Sequence, residues 1–431
     1  MTAMANPIPA RNVWEETAVP APPLAPLVND GVAEVLVVGG GYLGLTAALH
    51  LAEAGTDAIL LDAEAPGWGA SGRNGGQIIP GLKYDPGELE AMFGPEIGAR
   101  IGRFAGATAD AVFGLVERHG LACEARRTAW VQALHAEAAL ERARRRADDW
   151  QRRGAPVELL DRAGVAAIAG TDIYRGAFVD RRAGALQPLS YARELARVAL
   201  AQGARLHAGQ RVTALERQGL GWTATTAQGR RIRAQRVIVA TNAYSDRLVP
   251  GLAPSVVAAN SLQIATAPIP AALRPTLLPG GEVLSDTRRI IRYWRLDGEG
   301  RLLLGGRGPY REPGPEADWA HIVRDLRKLF PALAGIPVTH RWGGRVAIHP
   351  DYMPRLHRPE PGLTVAIGCQ GRGIGLQTAM GIELARLDRD PRAEPILPVT
   401  PIRPIPFHAF KALGVTATIT LYRALDRLGI G

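Results

Sequence analysis

Lysine is almost missing from this chain of 431 residues: only Lys83, Lys328 and Lys411 occur, so nearly all of the basic charge is arginine. The formal net charge is +10, yet the arginines are scattered and often stand beside acids, as in Arg144-Arg145-Arg146 before Asp148-Asp149. A nucleic-acid binder concentrates basic residues on one face or arm. The dispersal predicts an ion-paired, solvated surface and no nucleic-acid partner. Cysteine is equally scarce. Cys123 and Cys369 are too few for a disulfide framework and lack ligand spacing, so no metal site is expected. No apolar run reaches about 18 residues, the length that crosses a bilayer. Met1–Asn12 also lacks the apolar core of a secretory signal. These absences predict a cytoplasmic chain with no transmembrane segment.

What is present points to a large buried interior. Hydrophobic residues make up 47% of a chain too long for one ordinary core, which favours two domains that can be interleaved. Residues 1–30 carry Pro7, Pro9, Pro20, Pro22, Pro23 and Pro26 and read as an extended lead-in. Ala33–Val38 is a short buried strand, Tyr42–Ala54 repeats its apolar residues at helical spacing, and Gly55 ends that helix. Ala58–Asp62 is a second strand with an acid at its tip, completing a βαβ start. Helical patterns cover 88–120, 135–153 and Tyr191–Gln202, and strands are expected near Arg205–His207, 211–216 and 221–240. Alternation over 255–310 suggests antiparallel sheet. Leu363–Ile367 is another buried strand, leading into a helix that runs to Arg389.

Gly39, Gly41 and Gly44 stand in GxGxxG spacing between a strand and a helix, the context in which this motif binds a dinucleotide. Gly39 permits the tight turn, Gly41 lets backbone approach a pyrophosphate, and Gly44 permits close helix–strand packing, with the diphosphate at the positive helix end. Asp62, at the tip of the second strand, can hydrogen-bond an adenosine ribose and disfavours a 2′-phosphate. The run Gly67–Gln77 is what favours FAD over NAD. Its small residues cannot build a core but can lie along a large planar ligand, with peptide N–H groups for the flavin edge and Ser71 for the diphosphate or ribityl chain. Arg73, Asn74, Gly75, Gly76 and Gln77 belong to the same cofactor loop. A second cluster, Gly371, Arg372, Gly373 and Ile374, opens another helix, whose N-terminus suits negative charge on a reduced flavin.

Together these features resemble the amine- and amino-acid-oxidising branch of the D-amino acid oxidase superfamily, with the nearest likeness to γ-glutamylputrescine-oxidase-like proteins. The likeness is carried by Val38–Gly44, by Gly67–Gln77 with Pro80–Lys83, and by Leu186–Pro188. It continues in Ala240–Tyr244, in Arg341–Arg345 with Asp351 and Pro354, and in Gly368–Gly375. The resemblance implies an α/β fold in which a Rossmann-type FAD-binding domain is interleaved with an α+β substrate domain built on an antiparallel sheet. FAD-binding parts are expected at 31–95, 184–250 and 341–395, substrate parts at 96–183 and 251–340, and a tail at 396–431, with a basic amphipathic stretch at Lys411–Arg427. It also implies C–H oxidation at an amine carbon, with hydride passing to flavin N5, the imine hydrolysing to an aldehyde, and O2 or a quinone as acceptor. Sarcosine-oxidase-like relatives anchor flavin through a cysteine where this chain reads Trp342-Gly343-Gly344-Arg345, so non-covalent FAD is expected.

The strand pair Ile290–Arg295 and Leu302–Arg307 is expected to roof the site, with Tyr293 or Arg295 pointing in, since alternation puts Ile291, Tyr293 and Arg295 on one face. Arg73 and Arg372 can meet flavin or a substrate carboxylate. Several relatives activate O2 with a lysine charge near the flavin, and Lys83 alone lies close to a flavin loop in the sequence. Two other readings stay open: an amino-acid dehydrogenase feeding a quinone or partner protein, and a flavin-bound subunit without chemistry.

Overall fold

The computed structural model describes residues 12–390, 392–410, 421, 422 and 425, so most of the stretch Lys411–Arg427 lies outside the described residues. Two large sheets organise the chain. In the first, five strands run parallel in the order Arg205–His207, Ala58–Leu61, Gly31–Val38, Arg231–Val239 and Leu363–Ile367. Val35, Leu36 and Val37 are fully buried, as a strand covered on both faces requires. A hairpin of Val212–Gln218 and Gly221–Thr226 and the strand Arg355–Glu360 extend the edges in antiparallel pairing. The helices Tyr42–Glu53, Pro188–Ala201 and Gly373–Arg389 pack on this sheet and share one apolar core with it.

The second sheet has eight strands, from Val338–Ile348 through Val257–Pro268, Arg301–Arg307, Tyr293–Leu296, Val283–Asp286, Trp130–Leu134 and Gly176–Asp180 to Val157–Leu160. All neighbours are antiparallel except Val283–Asp286 against Trp130–Leu134. A small sheet of Gln77–Ile78, Gly184–Ala185 and Arg126–Arg127 links the cofactor loop to the body.

Three segments sit elsewhere than expected. The lead-in is not extended throughout: Val13–Thr17 forms a helix capped by the Asn12 side chain, and Trp14 within it is 1% exposed. Helix Pro95–His119, expected in the substrate part, packs against Gly373–Arg389 in the first core. A Cβ on Gly375 would lie 3.1 Å from the Thr108 carbonyl oxygen, so that glycine lets the two helices approach. Strand Val338–Ile348 crosses the expected boundary at 340/341 and pairs along its length with Val257–Pro268 of the second sheet.

Candidate active site

The glycine cluster forms the turn its spacing demands. Gly39 has φ +112°, open to glycine at little strain, and a Cβ on Gly44 would sit 1.9 Å from the Gly39 carbonyl oxygen. Helix Tyr42–Glu53 starts at Gly41 with no side-chain cap, and the amides of Gly41 and Leu43 have no acceptor among the described residues. Ser71 Oγ accepts the Tyr42 amide at 3.1 Å, which brings the cofactor loop onto the same helix start. Asp62 stands beside the turn: its carboxylate accepts the Gly40 amide and, at 2.7 Å, the Glu64 amide. Burial raises its pKa while the two amides oppose that shift. A helix start with orphan donors, a glycine whose added Cβ would meet only Ser71 Oγ and a held carboxylate fit the diphosphate and ribose of FAD.

The loop 67–77 is shaped by its own polar groups and by aromatic clamps. Asn74 donates to the Ala70 and Ser71 carbonyls at 3.1 and 2.8 Å and accepts the Gly76 amide at 2.9 Å, so its side chain fixes the turn. Trp14 Nε1 donates to the Asn74 carbonyl at 2.9 Å. Gln263 and Trp342 both donate to the Arg73 carbonyl, at 2.8 and 3.0 Å. These three clamps lie far away in sequence, and Gln263, set among Leu262, Ile264 and Ala265 in the strand Val257–Pro268, gave only a weak local hint of such a role. Arg73 gives its Nε to the Trp68 carbonyl at 2.8 Å, and Gln77 donates to the Leu284 and Trp294 carbonyls at 3.2 and 3.0 Å.

Between this loop, the second glycine cluster and the antiparallel sheet lies a cavity of about 1220 Å³. Arg73, Asn74, Gly75, Gln77, Lys83, Gly371, Arg372, Gly373, Ile374 and Tyr293 line it. Gly39, Gly41, Gly44, Asp62, Ser71 and Gly76 do not; the first five surround the start of helix Tyr42–Glu53, joined to the cavity through the loop. Tyr293 lies flat over Gly305, where a Cβ would be 2.0 Å from its ring, and its hydroxyl bonds Ser261 Oγ at 2.7 Å. Burial pushes the Tyr293 phenol up to about 12, so it stays protonated at neutral pH. Lys83 is exposed toward the cavity that it lines. Desolvation by the surrounding walls, with Arg372 and Arg146 beside it, lowers its ammonium to about 8. Burial and then Arg146 hold Arg372 down to about 9, and its guanidinium donates to the Pro80 carbonyl.

Arg295 is a correction. It shares a strand face with Tyr293 but does not line the cavity, because Trp14 and the 74–77 loop cover that end of the strand. Its Nε donates to the Gly75 carbonyl and its Nη2 to the Leu186 carbonyl, both at 2.7 Å. Arg295 therefore holds the cofactor loop from behind. Arg295→Met leaves two buried carbonyls without donors and is expected to destabilise the fold by about 3 kcal/mol, read as a lowered melting temperature, with weaker FAD retention.

Among the described residues no cluster of three metal-binding side chains occurs, and no helix is long and apolar enough to cross a membrane. The family model for FAD dependent oxidoreductases, DAO, matches residues 34–387. A probable oxidoreductase, OrdL, of Rhizobium meliloti is 34% identical over 386 residues, covering 89% of each chain. The γ-glutamylputrescine oxidoreductase of Escherichia coli is 30% identical over 409 residues, covering 94% of this chain and 95% of its own. The crystal structure of glycine oxidase from Geobacillus kaustophilus superposes with a TM-score of 0.71 at 21% identity, over 87% of this chain and 99% of that one, and shows the shared fold. The orphan amides, the loop and the cavity thus belong to a member of the DAO family, an oxidoreductase of the amine- and amino-acid-oxidising kind with FAD as its cofactor.

Proposed function

We propose that this enzyme oxidises the C–N bond of an amine of the γ-glutamylputrescine or polyamine type, with O2 as electron acceptor. The observation that carries the reading is one cavity shared by the two cofactor segments and the antiparallel roof, with cationic groups on its walls. The extended similarity to γ-glutamylputrescine oxidoreductase supports the substrate class. When bound, FAD supplies the hydride acceptor. The chain's own residues position and desolvate. Gln77 and the Gly75 backbone fix the loop edge, Tyr293 and Ser261 close the roof against water, and the cationic walls favour the neutral, oxidisable form of the amine. Lys83 has no hydrogen bond or ion pair among the described residues, and we assign it the fixed charge that stabilises negative charge developing on O2.

The balanced reaction is R–CH2–NH2 + O2 + H2O giving R–CHO + NH3 + H2O2. Purified enzyme in air, supplied with γ-glutamylputrescine, is expected to form aldehyde and peroxide in equal amounts. Aldehyde formed only when a quinone replaces O2 would reassign the acceptor, and no product from any amine would overturn the reading. Neither cysteine lines the cavity; Cys369 is packed against the Ala347 carbonyl, 4% exposed. Acid precipitation is accordingly expected to release all the flavin into the supernatant, whereas a yellow pellet would indicate a covalent bond.

A further inference from the structure

Nine arginine or lysine side chains and three carboxylates line the cavity. The three carboxylates are already committed. Asp286 pairs with Arg288 and accepts the Arg292 amide, Asp85 accepts the Trp150 indole and pairs with Arg146, and Glu88 closes a capping box onto the Asp85 amide. Of the lining cations, Arg307 resembles Lys83 in having no side-chain hydrogen bond or ion pair among the described residues. It ends the strand Arg301–Arg307 directly across the ladder from Ser261. Alternation puts Gly305 and Arg307 on one face, and the ring of Tyr293 covers Gly305 there. The Arg307 side chain therefore leaves the roof on the face that carries the Tyr293–Ser261 hydroxyl pair. His321 bonds the Arg307 carbonyl at 2.9 Å, so the backbone that carries it is held. Partial burial depresses its proton affinity, with Tyr352 acting in the opposite sense.

A half-buried guanidinium without a counter-charge is unfavourable unless a ligand provides one. We propose that Arg307 anchors a carboxylate on the substrate, remote from the amine that is oxidised, so that the enzyme takes carboxylate-bearing amines, such as a γ-glutamyl amide, ahead of free di- and polyamines. This rests on the amine-oxidation reading above and deepens it. Walls carrying such an excess of cations repel a free diamine, which arrives with two ammonium groups. A substrate with its own carboxylate offsets one of those charges and meets a planar fork that suits carboxylate.

The test uses FAD-loaded wild-type enzyme, Arg307→Gln and Arg307→Lys. The ratio of kcat/KM for γ-glutamylputrescine to kcat/KM for putrescine is expected to fall about 30-fold in Arg307→Gln and by less in Arg307→Lys. A ratio that does not move would overturn the proposal. A second arm needs no turnover: glutarate, a dicarboxylate without an oxidisable amine, is titrated into each protein and followed by its perturbation of the visible flavin spectrum. Wild type should bind it and Arg307→Gln should bind it at least about 10-fold more weakly; equal binding, or none by wild type, would also overturn the assignment. If neither amine reduces the wild-type flavin, the amine reading fails on its own, while the glutarate arm still decides whether Arg307 is a carboxylate anchor.

Discussion

Gly41→Val is expected to yield a folded protein that no longer holds FAD. Gly41 has φ −83° and ψ −178°, extended backbone that valine adopts readily, and a Cβ there would meet only Ser71 Oγ, at 3.0 Å. Apart from a small shift of Ser71 Oγ, the protein itself does not require glycine at this position. The diphosphate does, because a branched side chain would occupy the approach to the unpaired amides at the helix start. A rise of at least about 100-fold in the Kd for FAD is expected, equivalent to about 2.7 kcal/mol, with an unchanged far-ultraviolet circular dichroism spectrum. Gly44→Ala makes the contrast: its Cβ would clash with the Gly39 carbonyl, so both fold and cofactor should suffer. If Gly41→Val bound FAD normally, the pyrophosphate would not pass over this turn.

Lys83→Met is expected to slow reoxidation of the reduced enzyme by O2 on the order of 100-fold, while anaerobic reduction by amine changes far less. Charge is the reason. With its ammonium lowered to about 8, Lys83 is mostly cationic at pH 7 and loses its charge as the pH rises through that value. The wild-type reoxidation rate should therefore decline above about pH 8. In Lys83→Met that decline should disappear. Stopped-flow mixing of reduced enzyme with oxygenated buffer measures both effects, and an unaltered rate in the variant would remove Lys83 from the oxygen reaction.

The glycine turn and helix start of this molecule are written locally. The spacing of Gly39, Gly41 and Gly44 after a buried strand, and Asp62 at the tip of the next, specify a turn and helix start within 24 consecutive residues, 39 to 62, and the sheet forms as that pattern implies. What was not legible depends on contacts between distant segments. Helix Val13–Thr17 is short and flanked by prolines, and it is held by burial of Trp14 against Trp342 and by the Asn74 carbonyl, none of which leaves a periodic trace. The pattern of Pro95–His119 announces a helix but does not say which core it covers. Alternation placed Tyr293 and Arg295 on one face correctly, yet could not show that the 74–77 loop holds Arg295 out of the cavity and leaves Tyr293 on its wall. Arg307 was visible only as the last residue of a strand, since the lack of a partner is a property of the assembled cavity.

Anaerobic mixing of the purified holoenzyme with γ-glutamylputrescine tests the central claim most directly. Rapid loss of the visible flavin absorbance, complete at one equivalent of amine, is the predicted result. Flavin that dithionite bleaches but that no polyamine, γ-glutamyl-polyamine or amino acid reduces would contradict it.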